Sequence, residues 1–201
     1  MSKVKVNPRQ RFISLMYLVL LAMLALSIPD TVLNAFDSIS DNLVNSTQRT
    51  KHETKDYVNS FEQNPLKNDE KRITPAYEKA MASREIIKDL EVFIDSLKET
   101  FVTRAGGYKA QSLEINSPEN TDITNRFFQK EKNATLLKEK IKTAQQQLQL
   151  LFPENQRTDL DLKPYINDGV SSTGKKISWE EKNFGPETPA VAAYAILSMF
   201  S

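Results

Sequence analysis

The chain has 201 residues, 26% of them charged, and a formal net charge of +1. A chain of this length can bury a mid-sized core, and its balanced charge gives no bulk attraction for nucleic acid or a strongly acidic substrate. It has no cysteine, and its one histidine, His52, has no second type of metal ligand nearby. We therefore expect no metal, cofactor, nucleic-acid partner or small-molecule substrate. We also expect no enzyme activity, since no nucleophile, base and orienting group occur together.

The first predicted element is an apolar helix that begins at Pro8. Asn7 is a favoured N-cap, Pro8 suits the first helical position, and Gln10 can complete a capping box. Residues 12–29 carry no charge. A helix from Pro8 to Ile28 is ~31 Å long at about 1.5 Å per residue, which matches the hydrocarbon core of a bilayer.

The charges on either side of this helix predict its orientation, because basic residues favour the cytoplasmic side of a membrane. We therefore predict a cytoplasmic segment at 1–11, a transmembrane helix at 12–29 and a periplasmic domain at 30–201. Four cations precede the helix and three carboxylates follow it: Lys3, Lys5, Arg9 and Arg11, then Asp30, Asp37 and Asp41.

A cleaved signal peptide is the alternative interpretation of the same segment. A basic start, an apolar stretch and the small residues around Leu26 imitate a cleavage site. Two features favour a retained helix: the apolar run exceeds the usual signal-peptide core of about 7 to 15 residues, and helical apolar spacing resumes at Val32, Leu33 and Phe36.

Four polar residues of this helix are candidate contacts for a partner. Arg9 and Arg11 lie at the positive end of the helix dipole, which costs about 0.3 to 1 kcal/mol each when exposed. Tyr17 lies ~14 Å into the helix and so near the middle of the membrane, where its hydroxyl needs a partner. Ser14, three residues earlier, extends this polar spot. The alternatives are that the cations only anchor the helix, and that the hydroxyl bonds to a neighbouring backbone.

The segment PRQRFISLMYLVLLAMLAL, followed by VLNAF, resembles the N-terminus of the GldM family, also called PorM. The resemblance implies a motor subunit of the gliding-motility and type IX secretion apparatus of Bacteroidetes. In that family one transmembrane helix enters a ring of multi-pass GldL subunits in the inner membrane, and proton flow drives the periplasmic part. Arg9 and Tyr17 match functionally important residues of the family.

The resemblance also implies further, mostly β, periplasmic domains that reach outer-membrane secretion components. The last predicted helix, beginning at Thr188 and Pro189, stops abruptly at Ser201. We therefore expect the native chain to continue beyond this residue, and Met199 and Phe200 to be buried in the complete helix. We expect the chain to form a homodimer.

The apolar segment has no group that could carry a proton, since residues 12–29 contain no Asp, Glu, Lys, Arg or His. If proton motive force is used, the protonatable carboxylate belongs to the GldL-like partner, with Arg9 as a counter-charge that lowers its pKa. The alternative is a passive tether for a periplasmic binding module.

Pro29 and Asp30 mark the exit from the predicted span, and Pro29 departs from the family pattern. A proline within a helix removes a hydrogen bond and clashes with the carbonyl four residues back, so we expect a kink or a break. Ser27 and Asp30 have the spacing of a capping box, with Asp30 at the third position of a new helix.

Beyond the membrane we predict an all-α fold, a bundle of long up-and-down helices. The predicted helices span 31–62, from Pro75 to the glycine pair 106–107, and 121–152, with a possible short extended piece between the last two. Their apolar positions are Leu33, Phe36, Ile39 and Leu43; Ala80, Ile87, Leu90, Ile94, Leu97 and Phe101; and Phe127, Phe128, Leu136, Leu137, Ile141, Ala144, Leu148 and Leu151.

Residues 154–186 are polar and predict a loop. They include GVSSTGKK, from Gly169 to Lys176, which matches most of a phosphate-binding loop. The segment lacks the Ser or Thr that holds magnesium after the lysine and the buried strand before the loop. We therefore interpret it as a flexible turn.

Overall fold

The computed structural model describes residues 8–26, 28–63, 70–110, 112, 114–153, 166–171 and 173–200. It is mostly helical, which confirms the all-α prediction. Within the described residues, no helix combines the length and the apolar character that crossing a membrane requires. The helices are α1 (Pro8–Leu26), α2 (Asp30–Gln63), α3 (Glu70–Arg104), α4 (Thr121–Thr124), a π-helix (Asn125–Lys130), α5 (Asn133–Leu151), α6 (Trp179–Phe184) and α7 (Ala190–Ser198), and a two-stranded hairpin is formed by β1 (Gly169–Val170) and β2 (Lys176–Ile177).

The core of the bundle is formed by α3, α5, α6, α7 and the π-helix. Aromatic rings fill its centre: Phe128 stacks on Phe184 with ring centroids 4.1 Å apart, and its ring centroid lies 5.0 Å from that of Phe101. The α2 helix packs on the outside of this core, mainly against α7. A salt bridge of 3.0 Å between Lys51 and Glu91 joins α2 to α3.

The apolar stripes are only partly buried. Leu33 of α2 is buried, as are Ile94, Leu97 and Phe101 of α3, whereas Ile39 is 49% exposed and Ile87 is 47% exposed. The prediction that these two side chains lie in the core is wrong. Ile39 is exposed although the next residue, Ser40, is buried, so the buried face of α2 does not include it.

The helix is interrupted between α1 and α2 and is not merely kinked. Ile28 and Pro29 are non-helical, and the Pro29 carbonyl accepts from the amides of Val32 and Leu33 at 2.9 and 3.3 Å. The α2 helix therefore restarts directly after the proline, where a missing N–H costs nothing. Asp30 is the first residue of α2, not the third as the capping-box interpretation required. The proposed cap, Ser27, lies outside the described residues.

The start of α3 differs from the prediction, because the helix begins at Glu70 and contains Pro75. The first four amides of any helix lack an intrahelical acceptor, so a proline at the sixth position removes only one early hydrogen bond. The turns before Pro75 therefore form despite the proline, and the predicted boundary at this residue is wrong.

The end of α3 is a Schellman motif, in agreement with the predicted stop at the glycine pair. The Gly107 amide donates to the Val102 carbonyl at 2.9 Å, and the Gly106 amide donates to that of Thr103 at 3.3 Å. Gly106 has φ +95°, a conformation that side chains disfavour. The chain then reverses through an isolated antiparallel bridge between Tyr108 and Ile115, which is the predicted extended piece.

Replacement of Gly106 by alanine is expected to destabilise the bundle by about 1 to 2 kcal/mol. The alanine would be held at positive φ, where its Cβ lies too close to the following carbonyl oxygen. Space is not the reason, since a Cβ at this position would lie 3.6 Å from the Asn116 Cβ. Gly106→Asn should cost less, because asparagine tolerates this region better. Urea unfolding of both variants measures the difference, and equal losses would contradict a purely conformational cause.

The predicted helix at 121–152 is interrupted, and this prediction is corrected. A π-helix follows α4, Glu131 and Lys132 are non-helical, and Lys132 adopts φ +61° before α5 begins. The wider π-helical turn lets the neighbouring residues Phe127 and Phe128 both point into the core, each 1% exposed. Leu136 shifts out of the apolar stripe and is 48% exposed, contrary to prediction.

Within residues 166–171 and 173–186 the chain forms a hairpin and a helix and not the predicted loop; residues 154–165 and 172 lie outside the described part. The phosphate-loop-like segment forms the β1–β2 hairpin, with Gly169 opposite Ile177. The α6 helix follows, with its Trp179 and Phe184 buried in the core. The Gln129 side-chain amide connects the π-helix to α6, because it donates hydrogen bonds to the Glu180 and Phe184 carbonyls at 2.7 and 3.0 Å. Sequence patterns missed α6 because its six residues contain too few turns to show a period.

Candidate functional site

The predicted partner-contacting residues all lie on α1, and none is buried against the bundle. Arg9, Arg11, Ser14 and Tyr17 are exposed, Tyr17 by 64%. The described large apolar side chains of α1 are exposed too, from 45% at Val19 upward. Because apolar residues occupy every side of this helix, it has no single face that a soluble bundle could cover. The described side chains of α1 therefore form an exposed apolar surface.

Arg9 and Tyr17 lie at different heights along α1. Eight residues separate them in one continuous helix, which corresponds to ~12 Å along the axis and ~80° around it. They are too far apart to bond to each other but can contact one neighbouring element at two levels. Ser14 lies one turn before Tyr17, and Arg11 lies in the same first turn as Arg9. The predicted N-cap, Asn7, lies outside the described residues.

The exit from α1 is exposed at Pro29 and Asp30. The Asp30 carboxylate lies in the first turn of α2, where the helix dipole favours a negative charge. The structure therefore separates the predicted residues into two groups, the polar side chains of α1 and the helix break. It does not bring the two groups together.

A second candidate site lies on the bundle, where α3, the turn after it and α7 enclose a cleft of about 380 Å³. The Lys98 Nζ lies 5.0 Å from the centroid of the Tyr194 ring. The hydroxyl groups of Tyr194 and Tyr108 are 3.2 Å apart. The polar residues that line the cleft are Asp95, Lys98, Glu99, Thr103, Tyr108 and Tyr194.

The electrostatics of this cleft follow from burial. Burial lowers the pKa of Lys98; Lys51 lowers it further, and Asp95 opposes the change. Burial also raises the pKa of Tyr194, with the hydrogen bond to Tyr108 as the next cause. Lys98 therefore holds its proton less firmly than an exposed lysine, whereas the Tyr194 hydroxyl stays protonated at neutral pH.

Asp37 of α2 lies close to the turn after α3, which carries Lys109 and Glu114. The pKa of Asp37 is raised by burial and by the charge of Glu114, against the opposing charge of Lys109. The pKa of Lys109 is raised by its hydrogen bond and charge interaction with Glu114, which lies 2.8 Å away. The base of α2 thus faces a turn that carries both charge signs.

The residues of the cleft were not predicted from the sequence. A signal for Lys98 is its spacing, since it lies four residues after Ile94 and four before Val102, both of them buried. A lysine on an apolar arc of a helix is a candidate buried cation. No comparable signal marks Tyr108 and Tyr194, because their pairing depends on how α7 docks.

A polar cluster between α5, α6 and the residue before β1 has a structural role. The Lys138 Nζ lies 3.2 Å from Asp168 and 3.3 Å from Glu180. The Asp168 carboxylate also accepts from the Trp179 amide at 2.9 Å, and this hydrogen bond, followed by Lys138, lowers its pKa. The cluster fastens the hairpin and α6 to α5.

Comparison with known proteins gives one family. No curated protein matches the chain. The chain does match the GldM N-terminal domain over residues 31–201. This region contains α2 and the whole bundle and therefore covers most of the sequence, so the chain belongs to the GldM family, also called PorM, and carries its N-terminal domain.

Proposed function

We propose that this chain is an inner-membrane motor subunit of gliding motility and type IX secretion, which couples proton motive force to motion of its periplasmic part. Family membership supports a role as a component of this apparatus, because the chain matches the GldM N-terminal domain. GldM proteins are structural and motor components of secretion and not a known enzyme family.

The proposed membrane anchor is α1, spanning once with its N-terminus in the cytoplasm. The observation that carries the proposal is the exposure of apolar side chains on every side of this helix. Apolar surface of this extent is stable in lipid or against a partner and costly in water. The charge distribution around the helix supports the proposed orientation.

The proposed partner is a ring of GldL-like multi-pass subunits that carry the protonatable carboxylate. Residues 12–29 contain no ionisable side chain of the kind that carries a proton, so the titrating group has to be the partner's. Arg9 would favour the ionised form of that carboxylate, and Tyr17 would contact the ring at a second depth. One charge that crosses about 100 mV supplies ~2.3 kcal/mol, enough for a modest step of a bistable contact.

The proposed output element is α2, which runs unbroken for 34 residues and is therefore ~51 Å long. It packs on α7 near its start and bonds to α3 through Lys51. Motion of α1 would pass through the break at Pro29 into this helix. We also propose that two copies of the chain form a homodimer and that further domains of the native protein contact outer-membrane secretion components.

The test is co-purification of the tagged full chain with its membrane partner from detergent-solubilised membranes. We expect Arg9→Ala and Tyr17→Phe each to reduce the recovered multi-pass partner severalfold, because each removes one polar contact to the ring. Tyr57→Phe is the matched control, since Tyr57 is a 72% exposed tyrosine of α2. Arg9→Lys separates charge from guanidinium geometry.

Orientation is measured in the same membranes by protease access from the periplasmic side. Loss of partner with unchanged orientation supports recognition and transmission by α1. Recovery of the chain alone, or complexes indifferent to both substitutions, would contradict the motor role. Retention of full function by Arg9→Lys would reduce Arg9 to an anchor. These outcomes would leave a passive, membrane-tethered helical scaffold as the function.

A further inference from the structure

Lys98 is a buried cation whose ammonium group makes no hydrogen bond to the described residues. The residue is 9% exposed, and among the described residues its only direct partner is the face of the Tyr194 ring. No completely inaccessible side-chain nitrogen or oxygen of the described residues lacks a hydrogen-bond partner. The Lys98 Nζ is therefore accessible from the cleft that it lines, and its N–H groups can donate hydrogen bonds to a group bound there.

The Tyr108–Tyr194 pair adds a donor to the same cleft. One hydroxyl donates to the other across 3.2 Å, which leaves the second hydroxyl hydrogen for a further acceptor. Thr103 contributes a third hydroxyl group to the lining. The inner part of the cleft is thus rich in donors and has a single positive charge.

The outer part of the cleft carries the opposite charge. Asp95 and Glu99 lie one turn apart on the exposed side of α3 and line the opening. Two carboxylates at the opening disfavour a multiply charged anion such as phosphate, because like charges repel at short range. A single carboxylate with a positive charge next to it complements both parts of the cleft. The carboxylate matches the donors of the inner part, and the positive charge matches the carboxylates at the opening.

We propose that this cleft binds an acidic side chain of a partner protein, in a segment where basic residues flank the acidic one. The carboxylate accepts hydrogen bonds from the Lys98 ammonium and the tyrosine pair, and the flanking cations contact Glu99. Charge-assisted hydrogen bonds of this kind are short and strong when partly shielded from water. The volume of about 380 Å³ accommodates one such side chain with its neighbouring backbone.

Competitive labelling of lysines tests this assignment in the full chain held in detergent micelles. Acetic anhydride acylates neutral amines, and mass spectrometry reports the rate at each lysine. The probe is the peptide N-acetyl-Arg-Glu-Arg-amide, with N-acetyl-Arg-Gln-Arg-amide, acetate and inorganic phosphate as comparisons. Lys142, an exposed residue of α5, is the internal reference.

We expect the Glu peptide to slow acylation of Lys98 at least threefold, with no change at Lys142 and little effect of the Gln peptide or phosphate. Glu99→Gln should weaken this protection, because it removes one contact for the flanking arginines. Equal protection by both peptides, or none by the Glu peptide, would overturn the carboxylate assignment. Acetate as effective as the Glu peptide would overturn the assignment to a protein segment. The readout is confined to the bundle and does not depend on the proposed role of α1.

Discussion

Phe128→Ala is expected to destabilise the bundle by about 3 to 5 kcal/mol, the usual loss for removing a buried phenylalanine. The ring is 1% exposed and lies within 5.0 Å, centroid to centroid, of the rings of Phe101, Phe127 and Phe184. These rings come from α3, the π-helix and α6, so the cavity would loosen three elements at once. Urea unfolding followed by the fluorescence of Trp179, the one tryptophan of the chain, measures the loss.

Leu136→Ala is the matched control for this prediction. Leu136 lies in α5, on the stripe that periodicity predicts to be core, yet it is 48% exposed. We expect a loss within about 0.5 kcal/mol, as for other surface substitutions. A loss as large as that of Phe128→Ala would mean that α5 has the register predicted from sequence, and would contradict the π-helical insertion.

Leu18→Arg is expected to release the chain from membranes. Leu18 lies near the middle of α1, where exchange of leucine for arginine changes the free energy of membrane insertion by about 3 kcal/mol. The side chain is 68% exposed and so offers no contact within the described structure that would offset this cost. We expect the variant to move from the alkali-resistant membrane pellet to the extract, or to lose periplasmic protease access of its bundle.

Ile39→Arg is the control for Leu18→Arg. Ile39 is an exposed apolar residue of α2, 49% exposed and outside the proposed span. It receives the same charge but should leave membrane retention unchanged. The proposed membrane role of α1 is wrong if Leu18→Arg and Ile39→Arg are extracted equally, or if neither is extracted and both keep periplasmic protease access of the bundle.

The helical class and the long helices could be predicted from sequence because their signals are local. Apolar spacing of three and four residues identifies α3, and a glycine pair marks its end, so Ile94, Leu97 and Phe101 were found. Local signals failed where geometry depends on tertiary packing. The π-helix adds one residue to a turn so that Phe127 and Phe128 both enter the core, and no period of 3.6 residues anticipates that insertion.

The two candidate sites differ in the same way. Arg9 and Tyr17 could be selected from sequence because a polar residue in an apolar helix is conspicuous by itself. The cleft could not, since Lys98 and Tyr194 are 96 positions apart and meet only when α7 docks on α3. The α6 helix was missed because its few residues stabilise it through Trp179 and Phe184 and not through their own periodicity.

The attachment of α2 to the bundle sets a load limit for the proposed motor. Of the described side chains of α2, only Leu33 and Ser40 are buried. Full burial of one leucine contributes about 1.5 to 3 kcal/mol, similar to the ~2.3 kcal/mol that one charge gains across 100 mV. If several charges crossed the membrane in one step while the bundle was held fixed, the released energy would therefore shift α2 along α7 before it disrupted the aromatic core.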